Sequence, residues 1–445
     1  MRLAQRLGGS TAPSKPEQPG FTADSREDLA SIATRLHQKI LDRLDLAAAA
    51  QLPAEELRKR LRVIVGEAAT GEGIAMAPAE QAALVEQVLD ELVGHGPLEA
   101  VLTDPSVTDV LVNGADQVWV ERGGKLQITD IRFRDERHLI HTIQRMVARI
   151  GRRIDESSPM VDARLPDGSR VNAIVPPLAV DGAALSIRRF PATALAGQAL
   201  VERGALSEEM LNYLHVAVRA HCSILISGGT GAGKTTMLNA LSSFVSKRER
   251  VITIEDAAEL RLQQPHVVRL EARPPNLEGK GEVTIRDLVK NALRMRPDRI
   301  IVGEVRGGEV LDMLQAMNTG HEGSMATIHS NSPDDAMSRL MTMLGMTGTS
   351  LAEQTMATMI ARAVHVVVQV ARMQDGRRRV TSIAEVVGQT GSSIQLNTVF
   401  AFERAGTTSD GGIIGRHVQR AATTLTERFR AAGVIRGATS GEIGQ

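Results

Sequence analysis

The sequence predicts an α/β chain in three parts: an N-terminal helical bundle, a smaller mixed α/β domain, and a core built on a largely parallel sheet. Three observations carry that reading. Apolar residues recur at helical spacing between Leu29 and Leu92, short β-rich runs follow from Gly96, and from Ser207 onward apolar strands alternate with helices. The alternation predicts parallel strands, because each crossover helix carries the chain back to the end of the sheet where the previous strand began. At 445 residues the chain has room for about three domains of roughly 150 residues each.

Residues 1–25 are rich in Gly, Pro and Ser without periodicity and read as a disordered tail. In 26–95, Leu29, Ile32, Leu36, Ile40 and Leu44, then Leu57, Leu61, Ile64 and Val65, then Leu84, Val88, Leu89 and Leu92 mark about three helices of a bundle. The mixed domain, 96–190, has β runs at 108–112, 117–121 and 125–133, the last two joined by Arg122-Gly123-Gly124 as in a hairpin. A helix at 136–150 precedes runs at 160–165 and 170–175, which flank Pro166-Asp167-Gly168, and a last run at 184–190. Residues 191–206 read as a linker. The core, 207–403, alternates strands at 223–227, 251–254, 299–305 and 325–329 with helices at 234–245, 285–293 and 308–317. Helices at 333–344 and 351–364 then lead to antiparallel-looking strands at 366–372 and 380–387. Residues 404–445 read as a tail with one helix around 418–432.

Composition narrows the function. Lys plus Arg and Asp plus Glu are each 52, so no net field draws the chain to nucleic acid or anionic lipid. Aromatics are 2%, with Trp119 and Tyr213 alone of their kinds, leaving few platforms for stacked bases. Cys222 is the only cysteine, which excludes an intrachain disulfide and fits a reducing cytoplasm. Residues 1–21 lack the pattern of a secretory signal, and no run reaches the ~18–20 apolar residues of a membrane span. Membrane association is therefore expected to be peripheral, through other proteins.

Ser227 to Thr236 reads SGGTGAGKTT. Gly228, four residues, then Gly233-Lys234-Thr235 fits the P-loop pattern, and its place between an apolar strand and a helix is the context the pattern requires. Gly228, Gly229, Thr230, Gly231, Ala232 and Gly233 would turn backbone N–H groups toward phosphate oxygens at a helix N-terminus, with Thr236 in its first turn. Lys234 would reach the β- and γ-phosphates, and Thr235 would ligate magnesium. ATP and Mg2+ are thus the expected ligands, on a RecA-like P-loop ATPase core.

Three further stretches follow in order. Glu255 and Asp256 end the strand after the P-loop helix, a position expected beside the P-loop strand, which makes Glu255 a candidate general base for the attacking water. The apolar run Arg299–Val305 delivers Glu304 to the Walker B role, where its longer side chain favours magnesium contact through water or polarisation of the nucleophile. His329 ends the next strand, within reach of a γ-phosphate, and His321 precedes that strand.

A P-loop, an acidic box, a glutamate-bearing Walker B strand and a two-histidine box, in that order, resemble the secretion ATPase superfamily of type II secretion, type IV pili and type IV secretion. Residues 255–346, with GRRIDESSPMVDARLPDGSRVNAIVPPL upstream, are similar to its tight-adherence (CpaF/TadA-like) branch. The resemblance implies a homohexameric motor that powers pilus assembly, cytoplasmic, peripheral at the inner membrane, and partnered by pilus platform proteins. It implies catalysis by Lys234, Glu255, Glu304 and His329, metal contact by Thr235 and Glu304, and nucleotide contact by His321 and by arginines of the upstream domain. Arg164, Arg170 and Arg188 match arginine-bearing strands of that domain, and Arg294 and Arg296 lie ahead of the Walker B strand. A RecA-like nucleic-acid translocase and a nucleotide sensor without turnover stay open as rival readings.

Overall fold

The computed structural model describes residues 54–434, apart from 72, 75, 190–194, 274, 276–279 and 410. The expected tail 1–25, the helical periodicity at 29–44 and residues 191–194 of the expected linker lie outside the described residues. The described residues fall into two compact units, one reaching Thr103 and including Ile131–Phe133, the other holding Asp104–Asp130 and everything from Arg134.

The first unit pairs helices Ala54–Gly71 and Pro78–Val93. Leu57, Leu61 and Val65, spaced four apart, form one buried stripe, and it packs with Leu84, Val85, Val88 and Leu89. The second helix starts on Pro78, whose fixed φ suits a first turn, and the Glu80 carboxylate accepts from the Ala77 N–H at 2.8 Å.

The second unit contains two sheets. The smaller runs β3-β2-β1-β6-β5-β4, all antiparallel, from β1 (Val107–Asn113), β2 (Val118–Arg122), β3 (Lys125–Ile128), β4 (Met160–Arg164), β5 (Arg170–Ile174) and β6 (Ala184–Arg188). Alternate residues Val110, Val112, Val118, Val120, Val171, Ala173, Leu185 and Ile187 are buried, so one face is apolar. The other face carries a charged row, paired strand to strand: Glu121, Asp109, Arg188, Arg170, Arg164.

The larger sheet orders β15-β14-β13-β12-β7-β11-β10-β8-β9. Its parallel part holds β7 (Ile224–Gly228), β8 (Val251–Glu255), β9 (Val267–Glu271), β10 (Arg299–Val305), β11 (Met325–Ile328) and β12 (Val366–Arg372). Both faces are covered. Ile224 and Ile226 pack with helices Glu208–Arg219 and Lys234–Ser242, whereas Leu225 and Val367 face helices Glu309–Asn318 and Glu353–Ala363. Such double burial explains why these strands read as continuous apolar runs.

Two expectations change here. Within the expected linker, Gly197–Glu202 is helical, because Leu200 is buried in the same core as Leu206 and Leu211. Beyond residue 403 the chain continues as sheet: β13 (Arg378–Thr390), β14 (Ser393–Thr407) and β15 (Ile413–Gln419) are antiparallel, and helix Thr426–Ala431 follows. A Cβ at Gly415 would overlap the Phe402 ring, so the glycine that breaks the strand pattern in the sequence is what lets β15 pack.

Candidate functional site

The P-loop lies at the centre of the parallel sheet, where β7 runs between β11 and β12. Gly228 closes the strand because nothing larger fits: a Cβ there would lie 2.5 Å from the Val370 carbonyl oxygen. Gly231 and Gly233 take φ of 68° and 99°, which L side chains rarely adopt, and the second opens helix Lys234–Ser242. The Lys234 ammonium donates to the carbonyls of Gly228 at 3.0 Å and Gly229 at 3.3 Å, and lies 3.5 Å from Glu304 Oε1. Burial pulls its pKa down, with Glu304 opposing. Ala232 is buried, while Thr230 is exposed and Thr235 and Thr236 are half-buried.

The carboxylates arrange differently from the sequence expectation. β8 is not beside β7; β11 and β10 stand between them. Glu255 at the end of β8 is accordingly buried against β10, where only glycine fits at 303 because a Cβ would lie 2.7 Å from Glu255 Cγ. One of its oxygens, Oε2, accepts the backbone N–H of Glu259 at 2.8 Å and of Leu260 at 3.0 Å; the other has no partner. Burial pushes its carboxyl up to about 7, against the pull of those N–H groups. Asp256 points away, to Arg306 at 3.4 Å.

Glu259, which the sequence reading passed over, is the carboxylate that reaches the P-loop helix. Its Oε2 accepts from the Thr235 hydroxyl at 3.4 Å. Burial raises its pKa, while Arg188 and Arg170 oppose the rise. The signal was available as a third acid in Glu255-Asp256-Ala257-Ala258-Glu259, but only the fold of the loop distinguishes it from its neighbours. Glu304, on β10, accepts from Arg306 Nε at 2.9 Å. Burial pushes its carboxyl up, but Arg306 and Lys234 outweigh it and hold the group below its ordinary range.

The histidines part company. His329 follows β11 at the carboxyl end of the sheet, level with the P-loop, and is half-buried. His321 precedes β11, so the whole strand separates the two, and the structure does not bring His321 to the P-loop of its own chain. Its Nδ1 is buried without a partner. The upstream arginines come from the charged row of the smaller sheet. Arg170 and Arg188 act electrostatically on Glu259, though each is also paired within its sheet, Arg170 with Asp162 at 3.1 Å and Arg188 with Asp109 at 3.1 Å. Arg164 bridges to Glu271 on β9 at 3.1 Å. Arg294 and Arg296 are exposed ahead of β10, at the end opposite Glu304.

The donor set fits a nucleoside triphosphate with magnesium. Positive-φ glycines form a concave run of N–H groups, an ammonium stands at its rim, and a hydroxyl and two carboxylates lie beside it. Among the described residues there is no cluster of three or more metal-ligating side chains; magnesium characteristically takes few protein ligands and fills its shell with phosphate and water oxygens.

The chain is similar to known proteins over most of its length. The type II/IV secretion system protein family matches residues 91–436. A Mycobacterium tuberculosis H37Rv protein provisionally named for conjugal transfer is 44% identical over 320 residues, covering 71% of this chain and 90% of that protein. The type IV secretion system protein PtlH of Bordetella pertussis is 35% identical over 316 residues, 63% and 91% of the two chains. Among solved structures, the VirB11 ATPase of the Brucella suis type IV secretion system is 28% identical with a TM-score of 0.37, over 65% of this chain and 92% of that one. With a P-loop in its expected strand-to-helix context and the family matched across both sheets, the chain belongs to the type II/IV secretion system protein family, as a RecA-like P-loop ATPase.

Proposed function

We propose that the chain is a hexameric motor that hydrolyses ATP with magnesium and drives an inner-membrane platform protein to assemble a tight-adherence pilus or a related secretion machine. One observation carries the chemistry: Lys234, Thr235, Glu259 and Glu304 converge at the carboxyl end of the parallel sheet, within electrostatic reach of Arg170 and Arg188 from the upstream sheet. Relatives named for conjugal transfer and type IV secretion support a machine that moves macromolecules across a membrane, and the quoted motifs support the tight-adherence branch.

Lys234 and the P-loop N–H groups would hold the β- and γ-phosphates, and Thr235, with Glu304 through water, would hold magnesium. Magnesium, when bound, supplies charge neutralisation between the phosphates. Glu259 would accept the proton of the attacking water, in the role the sequence assigned to Glu255, while Glu255 would hold the loop that carries Glu259 through the Glu259 and Leu260 N–H groups. Arg170 and Arg188 would leave their carboxylate partners for the γ-phosphate as the upstream sheet closes, and return as phosphate departs. No helix among the described residues is long and apolar enough to cross a membrane, so the site at the inner membrane would be reached through partners.

Phosphate release measured against protein concentration, alongside mass by light scattering, tests the reading. Activity confined to a six-subunit species and lost in Lys234→Ala supports it; a fully active monomer removes the ring motor, and an active Lys234→Ala removes the site. Stimulation of turnover by single-stranded DNA or RNA would favour a nucleic-acid translocase instead.

A further inference from the structure

The P-loop is gripped from outside by side chains that the nucleotide chemistry above does not use. Arg378, at the start of β13, donates from Nε to the Gly231 carbonyl at 2.9 Å, and its stem lies against Gly233, where a Cβ would be 3.4 Å from Arg378 Cδ. The far end of the same guanidinium, Nη2, lies 3.6 Å from Glu121 Oε1 in the upstream sheet. Arg372, at the end of β12, reaches the other oxygen of Glu121 at 3.5 Å and donates to the Gly124 carbonyl. Glu121 is itself largely buried, with a side chain 12% exposed, and the Thr108 hydroxyl donates to it at 3.4 Å.

Both guanidiniums are partly exposed, Arg378 at 41% and Arg372 at 34%, but they converge on a largely buried acid. One carboxylate is shared by two guanidiniums, and one of those is also bonded to the crest of the phosphate loop. The Arg378 hydrogen bond fixes the peptide after Gly231, one of the two positive-φ glycines that shape the loop. A loop peptide that turns over would lose an N–H from the cradle, so its orientation affects phosphate affinity directly. Glu121 moreover occupies the same cross-strand row as Asp109, Arg188, Arg170 and Arg164. One row of the upstream sheet therefore reaches the P-loop through Arg378 at its Glu121 end and acts electrostatically on Glu259 through Arg188 and Arg170 further along.

We propose that Glu121, Arg378 and Gly231 form a mechanical linkage through which the upstream sheet sets the conformation, and hence the nucleotide affinity, of the P-loop, with Arg372 as its second strut. Arg378 and Glu121 are positioning residues: they act on phosphate through the loop backbone. The linkage deepens the motor reading, since it gives movement of the upstream sheet a direct route to nucleotide binding and release.

The test is a double-mutant cycle on the full chain, with binding of a methylanthraniloyl-labelled ATP read by fluorescence and KM and kcat by phosphate release. Arg378→Ala is expected to weaken binding about tenfold, or about 1.4 kcal/mol, raising KM with little change in kcat. Glu121→Gln, nearly isosteric, is expected to weaken it about threefold and to add nothing in the Arg378→Ala background, because the hydrogen bond to the loop comes from Arg378, whereas Arg372 holds Glu121 and bonds Gly124. Arg378→Lys is expected to behave as Arg378→Ala, since a point-charge ammonium cannot serve a carbonyl and a carboxylate at a fork's separation. Additive effects, or wild-type affinity in Glu121→Gln, would overturn the linkage; melting temperature checks that each variant is folded, and Glu121→Gln remains decisive if Arg378→Ala is not. Lys234→Ala separates the two readings. If it binds the labelled ATP normally the site itself fails, whereas loss of binding there with an additive cycle rejects the linkage alone.

Discussion

Among the acids of the site, burial and position divide the labour. Glu255 and Glu259 are four residues apart, yet one is locked onto backbone N–H groups and the other is presented to Thr235. Glu259→Gln is expected to lower kcat by about 10²–10⁴-fold, the usual contribution of a general base, with labelled-ATP binding retained; unchanged kcat in a phosphate-release assay would return the role to another group. Glu255 makes a thermodynamic prediction. Its carboxyl is raised to about 7, so the folded state binds the extra proton between its ordinary pKa and about 7. Stability from this group is therefore present at low pH and lost as pH rises through that window, by roughly 3 kcal/mol at most. Glu255→Gln should flatten that part of the stability curve in urea melts at pH 5 and pH 8. The sequence placed Glu255 at the end of a strand correctly, but whether a strand-end acid faces the P-loop or the loop behind it depends on strand order, which is a long-range property.

At the scale of elements, the antiparallel extension and the helix after it are held by one buried carboxylate. Glu385 on β13 accepts from Tyr213 Oη at 2.8 Å, the Thr424 N–H at 2.7 Å, and the hydroxyls of Thr423 and Thr424. Glu385 is fully buried and Tyr213 is buried too, while Thr423 is half-buried and Thr424 lies at the surface. Tyr213 also meets the rings of Phe400 and Phe429 edge-on, which seats helix Thr426–Ala431 against the core. Glu385→Ala is expected to cost about 2–3 kcal/mol, as the buried Tyr213 hydroxyl is left without its acceptor and the Thr423 and Thr424 donors lose theirs to water. Faster proteolysis beyond residue 420 together with a lowered melting temperature would bear this out; an unchanged melting temperature would contradict it. None of this was legible as pattern. The Gly and Thr content that suggests a tail is here the content of a tight strand and of hydroxyl donors to a buried acid.

For the molecule as a whole, the two sheets of the second unit share one electrostatic system. Arg188 holds Glu259 toward its ionised form from a strand about seventy residues away in sequence. Removing that positive charge should raise the pKa of Glu259, because its carboxylate loses a stabilising partner. Arg188→Ala is expected to move the acid limb of the kcat/KM profile to higher pH and to lower the plateau about tenfold to a hundredfold. An unmoved limb with a lower plateau would mean that Arg188 acts on substrate without tuning the base. The order of arginines along the charged row could be written down from the sequence, but not the register that aligns Arg164, Arg170 and Arg188 on one face.

The sequence by itself determined the chemistry that is local. A glycine-rich turn between an apolar strand and a helix is specified within ten residues, as are the apolar alternation of the parallel strands and the delivery of Glu304 by one of them, because each depends on backbone geometry and side-chain period over short range. Tertiary structure alone decided which of three acids meets Thr235, that His329 and not His321 stands level with the P-loop, and that Arg378 reaches the P-loop with Glu121 of a distant strand behind it. Those outcomes follow from strand order and cross-sheet packing, which bring together residues that no spacing along the chain relates.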